Sequence, residues 1–404
     1  MNHPVVRRLL FVLQSTASGG METHVIDLAR EFCRRGVAVG VVVPPGETLD
    51  SIAVRAHQAG ARVYRVTTDA RFGRSVQLRE YRRFVALLRT FHPDVVHLHT
   101  GGATGGAGVV LAVRACTTAT MVVTEHDVPA PEPGRGQRSA RAVMDRLAHA
   151  IVAVSRRNAR IRSERLPVAN RNFAAILNGV PLPETSYGER IANRNLVRRE
   201  LGIDPDAVVL GSLVRLAPGK GLDTLLHAFA LVDTRPAPEL LLVGDGPLRE
   251  ELRELACKLQ VADRVRFAGN QPHPGPYLDA MDAFVLAVPA GSMSIALLEA
   301  MARGLPPVIT FCGPEEAVIP GETGLGAGPN DPEDLARALA TFAKNPDCRE
   351  RLGEAAAAHV RRHFSVGRVA SDLLDVYVQS RTGRIPEALH ASAPANPRPG
   401  DRGR

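Results

Sequence analysis

Short, nearly continuous apolar runs punctuate the first half of the chain at 9–13, 37–43, 62–66, 95–99, 121–125 and 151–155. Each is rich in β-branched residues, the pattern of strands buried on both faces of a parallel sheet. Amphipathic stretches separate them; in 24–35, Val25, Leu28, Ala29 and Phe32 fall at helical spacing. The alternation predicts the βαβ rhythm of a doubly wound sheet. The second half repeats it. Strands are predicted at 208–214, 240–243, 265–267, 284–288 and 307–310, and helices at 221–231, 248–259, 294–303, 332–343 and 347–364. Asn178-Gly179-Val180-Pro181-Leu182-Pro183 marks the join, because Asn-Gly favours a turn and the prolines break regular structure. A last helix is predicted over 366–379. The reading is an α/β chain of two Rossmann-like, doubly wound parallel-sheet domains facing a central cleft, 1–180 and 181–365. A C-terminal helix over 366–381 is expected to pack back on the first domain, followed by a disordered tail over 382–404, rich in Pro, Ala, Gly and Arg. Any ligand belongs at the carboxyl ends of the strands.

The length of 404 residues suits two domains. No stretch approaches the roughly eighteen apolar residues of a membrane span. The first residues lead into a strand without a signal-peptide layout, so a cytoplasmic site is expected. Cys33, Cys116, Cys257, Cys312 and Cys348 have no metal-like spacing and read as reduced, packed thiols. The net charge of +8 is uneven: 71–89 holds six Arg and one Glu, and 135–165 holds nine Arg against Asp145 and Glu164. These runs read as a solvated basic face. The functional alternative is attraction to an anionic acceptor or peripheral contact with the inner membrane face. Nucleic acid is not an expected partner, for there is no matching motif and no Trp.

Ser18-Gly19-Gly20-Met21-Glu22 follows the first strand and opens the first helix. Glycines there let the backbone approach a ligand, and a helix N-terminus offers N–H groups and a positive dipole end, so Gly19 and Gly20 are candidates for a phosphate. A tight turn accounts for the pair equally well, and the spacing matches neither the dinucleotide nor the P-loop motif. In the second half, Arg215 and Lys220 follow a strand and flank Leu216-Ala217-Pro218-Gly219, just before a helix. Two cations in that position suit a diphosphate and the charge that grows on it as a leaving group. Gly244, Asp245 and Gly246 form another strand-to-helix turn that shapes a nucleotide pocket or serves as a turn alone. Gly291, Ser292, Met293 and Ser294 precede a helix carrying Glu299, which could accept two hydrogen bonds from a ribose diol. Asp204-Pro205-Asp206 has the look of a metal motif but reads as a turn, and no metal ligand is assigned.

Together these residues resemble the retaining family 4 glycosyltransferases of GT-B fold. The resemblance runs to about residue 380 through Gly19-Gly20-Met21-Glu22, Pro93-Asp94-Val95-Val96-His97-Leu98-His99 and Thr124-Glu125-His126. It continues in Asn178-Gly179-Val180, Arg215 with Lys220, Gly244-Asp245-Gly246-Pro247, Leu298-Glu299-Ala300-Met301-Ala302, Glu316-Ala317-Val318 and Gly321-Glu322-Thr323-Gly324. It implies a transfer from a nucleotide-sugar to the hydroxyl of a glycan, lipid-linked or small-molecule acceptor, with retention and with no metal or other cofactor. Under it, Gly19 and Gly20 face the donor diphosphate, Arg215 and Lys220 grip it, and Glu299 binds the ribose. His126 lies by the transferred sugar. The first domain, through 101–106 and 127–138, holds the acceptor; the second holds the donor.

One departure stands out. The family's sugar loop runs Pro-Ser, two residues, then Glu-Gly-Phe. Here Ala287 and Val288 replace Pro-Ser, Gly291 replaces the Glu, and Ser292-Met293 replaces Gly-Phe. The nucleotide half of the site is kept and the sugar half altered. Two alternatives follow: a nucleotide-sugar-binding scaffold that has lost transfer, or a nucleotide-sugar epimerase of the same fold.

Overall fold

The computed structural model describes residues 6–15, 19–68, 74–101, 106–127, 134–165, 172–289, 293–310 and 316–382. The chain divides into two compact units, Met1–Asn178 with Val366–Arg404, and Gly179–Ser365.

In the first unit the described residues form one seven-stranded, all-parallel sheet. Its strands are β1 (Arg8–Gln14), β2 (Ala38–Val43), β3 (Arg62–Arg65), β4 (Val95–Thr100), β5 (Thr120–Glu125), β6 (Ala150–Ala153) and β7 (Phe173–Ala175). They lie in the order β3-β2-β1-β4-β5-β6-β7. Burial explains the continuous apolar runs. Leu9, Phe11 and Leu13 point into one layer, with the helix Gly20–Arg34; Leu10 and Val12 point into the other, with the helix Arg74–Phe91. The helix Val366–Thr382 belongs to the first of these layers through Val369, Ala370, Leu373, Val376 and Tyr377. It lies against Gly20–Arg34, where Arg35 donates to the Gly367 carbonyl at 2.6 Å and the Phe32 and Tyr377 rings meet at 6.0 Å.

The second unit holds a six-stranded, all-parallel sheet among its described residues. Its strands are β8 (Val209–Leu213), β9 (Glu239–Val243), β10 (Val265–Gly269), β11 (Ala283–Leu286), β12 (Pro307–Thr310) and β13 (Leu325–Ala327), in the order β10-β9-β8-β11-β12-β13. Two edge strands, β7 and β13, are absent from the sequence prediction; each has three residues, too few to show a period. The helix Pro346–His363 closes on Phe364, whose carbonyl accepts from Val180 N–H at 2.9 Å.

Each sheet reverses its winding once, at β1/β4 in the first unit and at β8/β11 in the second. In open parallel sheets ligands bind outside the carboxyl ends of the strands at such a reversal. The candidate residues lie at these two places.

Candidate functional site

In the first unit, the carboxyl end of β1 leads to the helix Gly20–Arg34, whose N-cap, Gly19, makes no side-chain cap bond. The first turn is not an open cradle, which corrects one expectation. The Glu22 carboxylate turns back on the Gly19 N–H and its own N–H and accepts from Ser15. Burial raises its pKa, those hydrogen bonds oppose the rise, and nearby Asp127 adds to it. Gly19 is therefore engaged within the turn, and Gly20 is the remaining candidate of the pair.

His126 directly follows β5, beside the reversal. Its N–H donates to the Thr100 carbonyl at 2.9 Å, and its own carbonyl accepts from Asn158 Nδ2 at 3.2 Å. Its Nε2 lies 2.9 Å from Nδ1 of His99 on β4. Sequence reasoning gave His97, His99 and His24 no role, yet the four histidines form one buried cluster. The H-x-H spacing in β4 was the available signal, since alternate strand residues share a face. The His97 and His99 rings stack at 4.2 Å, and His24 lies 5.7 Å from His126. His97 Nδ1 meets the Tyr377 hydroxyl and its Nε2 the Thr124 hydroxyl, each at 2.7 Å. Burial lowers all three pKa values, helped by neighbouring imidazoles: His97 to about 3, His99 and His126 well below the usual value. These rings are neutral at ordinary pH.

A buried ion network corrects the reading of 135–165 as a solvated face for two of its nine arginines. Arg141 and Arg162 are 2% and 1% exposed. Arg162 donates to Glu125 at 3.0 Å and to both oxygens of Asp145 at 2.9 and 3.1 Å, and Arg141 pairs with Glu125. The helix Arg135–Leu147 also begins inside the segment 127–138 expected as a loop; residues 128–133, like 102–105 in the other acceptor segment, lie outside the described residues.

In the second unit, Arg215 and Lys220 lie between β8 and the helix Leu222–Ala230. Arg215 is exposed and Lys220 half-buried, and among the described residues neither forms an ion pair or hydrogen bond. Their loop is built on β9 and β11. Leu216 N–H donates to the Asp245 carbonyl, and Leu248 N–H to the Leu216 carbonyl, each at 3.0 Å. Gly246 lies so close that a Cβ there would collide with the Leu216 carbonyl. Gly244 donates to Gly269, and the Asp245 carboxylate accepts from Gly246 N–H and Arg249, each at 2.8 Å. These three residues thus brace the Arg215 loop, a more definite role than lining a pocket. Gly221, with φ of 66°, presses on the Ala287 carbonyl just beyond β11.

After β11, Gly291 and Ser292 lie outside the described residues. Met293 is buried, and the Ser294 hydroxyl caps the helix Ile295–Ala302 by accepting from Leu297 N–H at 3.3 Å. Glu299 is half-buried on that helix, whose other face sinks Ile295, Leu298 and Met301 into the core. Asp204-Pro205-Asp206 is a turn in which Asp206 N–H donates to Asp204 at 2.9 Å. Among the described residues no group of three potential ligands could hold a metal ion, and no helix is long and apolar enough to cross a membrane.

Fold and candidate site define an α/β protein of two doubly wound parallel sheets, each with candidate ligand-binding residues at its winding reversal. Residues 18–183 match the model of Glycosyltransferase Family 4, and residues 193–359 that of Glycosyl transferases group 1. The D-inositol 3-phosphate glycosyltransferase of Kribbella flavida is 30% identical over 391 residues, 85% of this chain and 87% of that protein. The lipopolysaccharide core biosynthesis glycosyltransferase LpsE of Rhizobium meliloti is 36% identical over 185 residues, spanning 45% of this chain and about half, 52%, of the relative. The crystal structure of Anabaena HepE in complex with UDP and glucose matches the fold with a TM-score of 0.76 at 23% identity, over 91% of this chain and 98% of that one. The chain belongs to the family 4 glycosyltransferases of GT-B fold.

Proposed function

We propose that this glycosyltransferase moves a hexosyl group from a nucleoside-diphosphate sugar to an acceptor hydroxyl, with retention and without a metal ion. The observation that carries this reading is the pair Arg215 and Lys220, which no described residue neutralises, at the winding reversal of the second sheet. Cations held there ready-made stabilise a departing diphosphate without reorganising in the transition state. Gly20 adds the N-terminal end of a helix dipole, and Glu299 takes the ribose diol. In the step itself, the bond from C1 of the sugar to the diphosphate oxygen breaks. A bond from the acceptor oxygen to C1 forms on the same face, and the acceptor proton passes to the leaving phosphate.

UDP-hexose is the first donor to try, because HepE was solved with UDP and glucose. The acceptor is a glycan, a lipid-linked sugar or a small polyol. The exposed Arg79, Arg82, Arg83 and Arg89 of the helix Arg74–Phe91 favour an anionic one, or one presented at an anionic membrane surface.

The test is UDP release from UDP-hexoses with an acceptor panel, with the anomeric configuration of the product read by NMR. Transfer should survive a chelator, and Lys220→Ala should lower kcat/KM by about two orders of magnitude. Inverted product, chelator-sensitive turnover or an unaffected Lys220→Ala would each remove the corresponding part of the proposal.

A further inference from the structure

His99 and His126 share one hydrogen bond between two ring nitrogens, His99 Nδ1 and His126 Nε2, 2.9 Å apart. Both rings are neutral, for reasons of burial given above. In a neutral pair, one nitrogen of that bond carries the proton and the other accepts it. The remaining nitrogens decide which. His99 Nε2 is sealed from solvent and has no hydrogen-bond partner among the described residues. The His99 ring sits among other rings, its centroid 5.5 Å from that of Phe11, 4.2 Å from that of His97 and 6.3 Å from that of His24. A buried N–H with no acceptor is disfavoured more than a buried lone pair with no donor. Nε2 of His99 is therefore the bare nitrogen, and its proton is on Nδ1, in the bond to His126. His126 Nδ1 is in the opposite situation. It has no partner among the described residues and is not sealed off, and the residue keeps 7% of its surface at the carboxyl edge of the sheet.

We infer that His99 is a positioning residue: it donates from Nδ1 to His126 Nε2 and so fixes His126 as the tautomer that presents an N–H donor, not a base, to the substrate. His126 then offers Nδ1–H to an oxygen of the bound sugar and takes no proton from the acceptor. Its main chain is held on both sides by Thr100 and Asn158, and its ring by the bond to His99. His97, held at both nitrogens by Tyr377 and Thr124, backs the His99 ring from behind. The part played by His126 in transfer rests on the proposed function; the tautomer rests on the cluster alone.

The test separates the two. In protein labelled with 15N-histidine and free of substrate, long-range 1H–15N spectra report which ring nitrogens are protonated, with His126→Gln used for assignment. The expected result is protonated Nδ1 and bare Nε2 on both His99 and His126. In His99→Phe, His126 should move wholly or partly to the Nε2–H form, and kcat should fall by about tenfold or more while KM changes less than about threefold. His99→Asn, which restores a short amide donor, should return the original tautomer and most of kcat. Protonated Nε2 on His126 in the unmodified protein overturns the inference, as does a tautomer that ignores both substitutions or a kcat that ignores a changed tautomer. If the tautomers are as stated but no donor is turned over, the transferase proposal falls and the tautomer assignment stands.

Discussion

Asp27 shows what burial does to a single group. It lies on the helix Gly20–Arg34 with 6% of its surface exposed, and Arg30, about half in solvent, is its close cation at 3.1 Å. Burial raises its pKa from 3.8 to about 6, with Arg30 and Arg55 opposing. The native carboxyl thus holds its proton to higher pH than the unfolded one. The folded state binds more protons between about pH 4 and 6, so stability falls as pH rises through that window and levels off above it. Asp27→Asn should raise stability at pH 7 by about 1–3 kcal/mol, and the gain should vanish below about pH 4. Urea unfolding of both proteins at pH 4 and 7 checks this; an equal difference at the two pH values would contradict it. Gly221 poses a steric question instead. Alanine there would hold φ of 66° and drive its Cβ into the Ala287 carbonyl. Gly221→Ala should cost roughly 2–5 kcal/mol and weaken UDP binding as the Lys220 loop shifts. Calorimetric titration with UDP beside thermal melts would show whether both effects appear.

At the scale of elements, the doubly buried strands were legible because runs such as 9–13 and 121–123 are apolar at every position, as a sheet covered on both faces requires. Arg215, Lys220 and Glu299 stand out as candidates because each has a fixed offset from such a strand or its following helix, and their positions beside β8 and on the helix Ile295–Ala302 follow from that offset. The ion network was not. Glu125 ends β5, Arg141 and Asp145 share the helix Arg135–Leu147, and Arg162 lies on the helix Arg156–Arg165, so no local spacing betrays the partnership. In sequence the same arginines only swell a basic run. The histidine cluster was half legible, for H-x-H puts His97 and His99 on one face but nothing local says that His126 and Tyr377 meet them. The network makes its own prediction. Burial and nearby Arg162 lower the Arg141 pKa to about 10, so that cation already depends on its carboxylates. Arg162→Met would leave Asp145 and Glu125 short of a buried cation, at a cost of about 3–5 kcal/mol. The denaturant midpoint of the first unit should fall while the second unit's transition stays in place; tyrosine fluorescence and hydrogen exchange resolved by segment can follow each.

The whole chain leaves the first unit once and comes back. Val180 and Ser365 pair as neighbours, so the outgoing and returning segments run side by side at the border of the second unit. The return is not ornamental. Val369, Leu373 and Val376 are at most 2% exposed in the first unit's core, and Tyr377 is bound to His97. Each buried aliphatic side chain contributes about 1.5–3 kcal/mol, so losing three removes an amount comparable to a domain's net stability of about 5–15 kcal/mol. The second unit is contiguous in sequence and carries its own core. Three fragments therefore have distinct expected behaviours. Residues 179–365 alone should unfold cooperatively. Residues 1–178 alone should be loosely packed, with dye-binding apolar surface and a shallow urea transition. Joining 178 to 366–382 through a flexible linker of about five Gly and Ser residues should restore a steep transition, because the two ends leave the unit close together. Tyr377→Phe in that joined fragment should lose only the hydroxyl bond to His97 and cost about 1 kcal/mol. A steep, dye-free transition for 1–178 alone would show that the returning helix is dispensable to the first unit's fold. That outcome would also leave His97 to be held by Thr124 alone, and with it the packing that keeps His99 in line with His126.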